Sequence, residues 1–255
     1  MKIGMLTSGG DCQGLNAALR GVAKTLYNEL GNKVTIYGIR DGYRGLIEGD
    51  YHVMSPKDFS DILTVGGTIL GTSRQPFKEM QKAKEDSEET KLEKMLKTVR
   101  DEGFDCLVIL GGNGTHKTAN LLSQNGVNVV TLPKTIDNDL FGTDHCPGFA
   151  SAAKYIATSC MEIYQDARVY DTGMVCVVEI MGRHAGWLAG AAGLATAMGA
   201  GPDLVYLPET DFDMQKFLAD VKRIYDEKGN CLVAVSEGIH YADGSFVSEA
   251  KTSAT

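Results

Sequence analysis

Short apolar runs alternate along this chain with segments whose apolar positions recur at helical spacing. The runs from Lys2 to Leu6, Val34 to Ile39, Cys106 to Leu110, Val127 to Leu132, Met174 to Ile180, Leu204 to Leu207 and Cys231 to Val235 predict strands. Between them, Leu15 to Leu30, Lys91 to Asp101, Thr115 to Gln124, Ala150 to Tyr164 and Met214 to Glu227 have the spacing or composition of helices. Strands and helices alternating in this order imply mainly parallel sheets with helices on both faces. A break near Thr143 to Gly148 divides the pattern into an N-terminal lobe, 1–148, and a C-terminal lobe, 149–255, which opens with a helix. The expected fold is therefore α/β, with two Rossmann-like lobes. The charged stretch from Glu79 to Thr90 predicts a solvated loop or the start of a helix.

Composition narrows the function classes. A formal charge of −8 and a pI near 5.2 argue against a nucleic-acid surface. No apolar stretch approaches the ~20 residues of a membrane span, and Met1 to Leu6 is too short for a signal peptide, so a cytoplasmic location is expected. The six cysteines show neither C-x-x-C pairs nor histidines at metal spacing, and Cys106, Cys176 and Cys231 read as small core residues. The 30 glycines suggest tight turns between strands and helices.

Candidate chemistry sits where the predicted strands stop. Val129 to Leu132 is ended by Pro133 and followed by Thr135-Ile136-Asp137-Asn138-Asp139, which places two carboxylates two residues apart. A carboxylate there can accept a proton from an attacking hydroxyl, although Asp-Asn-Asp runs also simply make turns. Thr7-Ser8-Gly9-Gly10-Asp11 and Gly111-Gly112-Asn113-Gly114-Thr115 each follow a strand and lead into a helix, the arrangement in which amides face a phosphate. The second is no Walker A loop, because His116 stands where the glycine before Lys117 would be needed. A third glycine-rich segment, Gly66 to Ser73, ends in Arg74, whose permanent charge suits a terminal phosphate. Arg183 at a helix entrance and Glu237 at a strand end suit a phosphate and sugar hydroxyls respectively.

Five motifs in this order, T-S-G-G-D, G-G-T-x-L-G-T-S-R, G-G-N-G-T, P-K-T-I-D-N-D and M-G-R, resemble the phosphofructokinase family over essentially the whole chain. The resemblance implies transfer of the ATP γ-phosphoryl group to the 1-hydroxyl of fructose 6-phosphate in glycolysis, with magnesium, by a cytoplasmic homodimer or homotetramer. It implies Asp137 as catalytic base. Gly10, Tyr43, Arg74, Gly112, Asn113, Gly114, Thr115 and Lys134 would contact the donor, and Thr135, Ile136, Asp137, Met181, Gly182, Arg183 and Glu237 the sugar phosphate. Asn113 or Asp139 would lie beside the metal. Asn113 departs from the family's aspartate there and offers only a neutral oxygen. On the donor, Gly114 matches ATP users and Lys134 matches many pyrophosphate users. ATP is the expectation, with a pyrophosphate-dependent phosphotransferase and a non-catalytic binding subunit as alternatives. The NAD kinase and lipid kinase families share only the G-G-x-G-T turn. Met174 replaces an arginine that reaches the neighbouring subunit in well-known members, and the family's later G-H-x-Q-R-G-G segment does not occur within these 255 residues. The chain is accordingly expected to be incomplete at its C-terminus.

Overall fold

A computed structural model describes residues 1–83 and 89–249. It divides into two compact units. One holds Met1–Thr135 and Cys146–Gly148, the other Ile136–His145 and the chain from Phe149 onward. The division does not fall at a single chain position. Ile136 packs among Cys160, Ile180 and Leu188 of the second unit, whereas Gly148 returns to the first by bridging to Thr135.

The first unit is built on five strands, β1 (Lys2–Ser8), β2 (Thr35–Ile39), β3 (Tyr51–Met54), β4 (Cys106–Gly111) and β5 (Val129–Pro133), in the order β3-β2-β1-β4-β5. All pairings are parallel except β2 with β3. Four helices accompany them, α1 (Leu15–Leu30), α2 (Tyr43–Glu48), α3 (Lys91–Glu102) and α4 (Asn113–Gln124). The central strands read as unbroken apolar runs because helices cover both of their faces. Leu6, Leu107, Ile109, Met95 and Leu122 are fully buried in one core, each contributing roughly 1.5–3 kcal/mol of burial. Helix α3 starts with a capping box, the Thr90 hydroxyl accepting the Glu93 amide at 3.1 Å while the Glu93 carboxylate accepts the Thr90 amide at 2.7 Å. Of the charged stretch from Glu79 to Thr90, residues 84–88 lie outside the described residues.

The second unit has a parallel sheet in the order β6-β8-β7, made of β6 (Met174–Ile180), β7 (Leu204–Tyr206) and β8 (Asn230–Ser236). Its helices are α5 (Phe149–Ala167), α6 (Trp187–Ala191), α7 (Leu194–Ala197) and α8 (Met214–Lys228), the last capped by the Asp213 carboxylate on the amides of Gln215 and Lys216.

All seven predicted strands and all five predicted helices are present. The additions are β3, α2, α6 and α7. Each is only four to six residues long, so none spans enough periods for its apolar pattern to stand out. No helix among the described residues is long and apolar enough to cross a membrane.

Candidate active site

Strand order decides which turns meet. In the first unit Ser8 is the register partner of Gly111, and Gly111 of Pro133. The carboxyl ends of β1, β4 and β5 therefore lie side by side, and the turns that leave them are neighbours. This is the position at which open parallel sheets bind ligands, since the chain runs outward from β1 to β2 on one side and to β4 on the other.

Hydrogen bonds draw the Gly66–Arg74 segment into the same place. The Gly9 amide donates to Ser73 O at 3.2 Å, and Thr72 Oγ1 donates to Gly9 O at 2.8 Å. Arg74 is exposed, with Nη2 3.8 Å from where a Cβ on Gly10 would stand. Lys134 continues the β5 ladder by donating its amide to Gly111 O at 3.0 Å, then turns its side chain inward so that Nζ donates to Gly10 O at 2.6 Å. Only 5% of Lys134 is exposed, so its charge is held inside the turn.

Helix α4 opens onto these cations. Its first turn carries no acidic side chain, and its first amides have no partner within the helix. The combination of helix-start amides, the helix dipole, the buried Lys134 and the nearby Arg74 is suited to a phosphate chain. Gly111 permits the tight entry, because a Cβ there would stand 2.4 Å from the Thr115 side chain. Thr115 is buried, and its hydroxyl donates to Ser8 O at 3.3 Å. Thus Gly10, Arg74, Lys134 and the Gly112–Thr115 turn, predicted separately, form one cradle.

Tyr43 stands differently from its sequence expectation. It is 1% exposed, and its hydroxyl donates to Thr115 O at 2.8 Å. Burial pushes its phenol pKa well above the ordinary range. It reaches the cradle through the Thr115 backbone instead of presenting a face to a ligand. Beside the first glycine turn, burial raises the Cys12 thiol to about 11, with the Lys134 charge pulling in the opposite direction.

Within the second unit, Ile136 to Asp139 forms a turn with Asn138 at φ 54°, a left-handed conformation that asparagine tolerates. Asn138 is buried and donates Nδ2 to Asp144 O at 3.0 Å, fixing the residues on either side of it. Asp137 is partly buried and Asp139 exposed. The bond from Asn138 to Asp144 holds this segment in its bent conformation.

The ends of β6 and β8 make a second group. The Glu237 amide donates to Ile180 O at 2.8 Å, and its carboxylate accepts the Gly182 amide at 3.2 Å. Ser236 Oγ donates to Gly182 O at 2.7 Å and accepts the Gly238 amide at 3.1 Å. Gly182 has φ 117°, and a Cβ there would stand 2.5 Å from Ala185 O, so the turn requires glycine. Met181 and Arg183 are exposed on either side of it, the guanidinium 5.3 Å from the Phe246 ring centre. Ile136 and Met181 also share the lining of a cavity of about 280 Å³.

One contact was not foreseen. The Gly186 amide, at the entrance of α6, donates to Glu209 Oε1 at 2.6 Å. A carboxylate already occupies that helix entrance, while Arg183 stands exposed before it. Glu209 lies just past β7 in a stretch that also carries Asp211 and Asp213, and nothing in its sequence neighbourhood singled it out.

A cradle of amides and cations at the switch point of a parallel sheet has the geometry of an α/β phosphate-binding site, and carboxylates stand on the strand-end turns. The Phosphofructokinase family pattern matches residues 2–254, and the chain belongs to that family. It is 46% identical over 250 residues to an ATP-dependent 6-phosphofructokinase of Spirochaeta thermophila, covering 96% of this chain and 66% of the relative. A pyrophosphate–fructose 6-phosphate 1-phosphotransferase of Amycolatopsis methanolica is 39% identical, covering 93% and 65%. The crystal structure of a pyrophosphate-dependent phosphofructokinase from Nitrosospira multiformis superposes with a TM-score of 0.80 at 31% identity, covering 96% of this chain and 62% of that one. The chain spans about two thirds of the length of these relatives.

Proposed function

We propose that this chain carries the phosphoryl-transfer machinery of an ATP-dependent 6-phosphofructokinase, moving the ATP γ-phosphoryl group to the 1-hydroxyl of fructose 6-phosphate. The observation that carries the reading is the convergence of Gly10, Arg74 and the buried Lys134 on the opening turn of α4. Amides there would bind the donor's phosphates, and the two cations would offset charge on the oxygens between which the group passes. Asp137 would take the proton of the 1-hydroxyl as its oxygen bonds to phosphorus and the bridging P–O bond breaks, leaving the electron pair on ADP. Thr135, Ile136, Met181, Gly182, Arg183 and Glu237 would hold the sugar phosphate, Arg183 through charge and Glu237 through hydroxyls.

Among the described residues no three His, Cys, Asp or Glu side chains converge as a metal cage. This suits magnesium carried on the donor, since the ion commonly takes one or two protein groups and completes its shell with phosphates and water. Asn113 would offer a neutral oxygen and Asp139 a carboxylate, and the bound ion would lower the charge of the terminal phosphates. Lys134 supports a second reading, with pyrophosphate as donor, because its ammonium sits on the first glycine turn where a compact polyanion would bind. A cytoplasmic location and a homodimer or homotetramer go with either reading; Val175 and Val177, exposed on the edge strand β6, are surfaces that a subunit would cover.

The test is an assay of purified protein with fructose 6-phosphate and magnesium, comparing ATP with pyrophosphate. Faster turnover with ATP is expected. Turnover with pyrophosphate alone would replace the donor, and ligand binding without turnover would favour a binding subunit.

A further inference from the structure

Asn16 is an enclosed polar side chain near the cradle that the reading above leaves without a task. It is the second residue of α1 and only 1% exposed. A buried amide is retained at such a position only where its donors and acceptors are satisfied. Here one loop satisfies both. Nδ2 donates to Val65 O at 3.1 Å, Oδ1 accepts the Ile69 amide at 2.7 Å, and the Asn16 backbone amide donates to Gly67 O at 3.2 Å. One residue thus holds three alternate positions of a stretch that has no regular structure of its own.

The far half of the same loop is fastened to β1. Thr7 Oγ1 donates to Gly71 O at 2.8 Å and lies 2.8 Å from Thr68 Oγ1, before Thr72 and Ser73 make their contacts with Gly9. Arg74 follows at once. Its guanidinium stands over Gly10 because the backbone before it is fixed, and its side chain is exposed with no ion pair among the described residues that would hold it there. Releasing the loop at Val65, Gly67 and Ile69 would let that cation sample positions away from the turn.

We propose that Asn16 is a positioning residue of the donor site, clamping the Val65–Ile69 backbone so that Arg74 is held over the Gly9–Gly10 turn to meet a donor phosphate. The inference rests on the cradle being the donor site. Asn16 itself touches no phosphate.

The test is a double-mutant cycle on the full chain, reading the calorimetric Kd of magnesium-ATP and of pyrophosphate for wild type, Asn16→Ala, Arg74→Ala and the double variant, with hydrogen exchange across 65–73. Asn16→Ala is expected to weaken binding of the preferred donor at least ~10-fold, to speed exchange of the Ile69 amide, and to add less than ~2-fold on top of Arg74→Ala. Fully additive losses would overturn the proposal, since Asn16 would then act independently of Arg74. Unchanged donor affinity in Asn16→Ala would overturn it as well. If Asn16→Ala does not fold, Asn16→Asp replaces it, keeping the acceptor for Ile69 while losing the donor to Val65, and the same cycle decides. Wild-type protein that binds neither donor would remove the functional reading and the proposal with it, an outcome distinct from additivity in a wild type that binds.

Discussion

Gly114→Asp separates donor choice from folding. Gly114 is the second residue of α4, is exposed, and has no atom outside its own helix within 4 Å of where a Cβ would stand. Its φ lies outside the left-handed region, so a side chain adds no backbone strain. An aspartate in the first turn meets the positive end of the helix dipole, worth roughly 0.3–1 kcal/mol, and replaces glycine inside a helix, worth a few tenths more. The variant should therefore be as stable as the parent or raise Tm by ~1–4 °C. Donor binding should move the other way. A carboxylate ~5 Å from a bound phosphate interacts at about 3 kcal/mol with an effective permittivity near 20, and salt screening brings this to about 2. That is about 30-fold in Kd. Pyrophosphate lacks the nucleoside monophosphate part that would lie against this turn, and its affinity should fall less than ~3-fold. Calorimetric titration of both variants with magnesium-ATP and magnesium pyrophosphate measures the difference. Equal weakening toward both donors, or none toward ATP, would refute the argument that Gly114 leaves room for a nucleotide.

Three further outcomes follow from single groups. Asp137→Asn should lower turnover at least ~100-fold with donor Kd nearly unchanged, as expected for loss of a base, and near-normal kcat would remove that role. Tyr43→Phe deletes one buried hydrogen bond to Thr115 O and should cost about 1 kcal/mol in urea unfolding while changing donor Kd less than ~3-fold; a tenfold loss of affinity would mean that the phenol meets the donor itself. Glu102 accepts from Lys2 Nζ at 2.9 Å and Tyr51 Oη at 2.8 Å, and these partners hold its carboxyl down at about 2. Because its folded pKa lies below the ordinary glutamate value near ~4.3, its contribution is complete above that value and is lost as pH falls toward 2. Glu102→Gln should flatten the acid limb of the stability profile between about pH 4 and 2, measured by thermal melts, and an unchanged limb would assign that limb to other carboxylates.

Much of the architecture was legible because long elements bury repeated faces. The seven strands and five long helices were apparent in hydrophobic spacing, whereas β3, α2, α6 and α7 are too short to generate a period and are held by their neighbours. The cradle was half legible. Its motifs were visible one by one, and Lys134 was already expected at the donor, yet that its Nζ reaches back to Gly10 O and that the Tyr43 hydroxyl is spent on Thr115 O appear only in the fold. Asn16 and Glu209 carried no signal at all, since each acts on backbone groups 23 to 53 residues away.

The sequence by itself determined the class of fold, the residue types able to bind phosphate and accept a proton, and the family to which their order points. Those follow from local physics: spacing fixes which face is buried, and glycine, arginine and aspartate carry their chemistry wherever they stand. Only the tertiary structure decided which of them act together, because pairing β1 with β4 and β4 with β5 is a long-range choice that no local pattern encodes. That choice sets three strand ends side by side and turns separate motifs into one site.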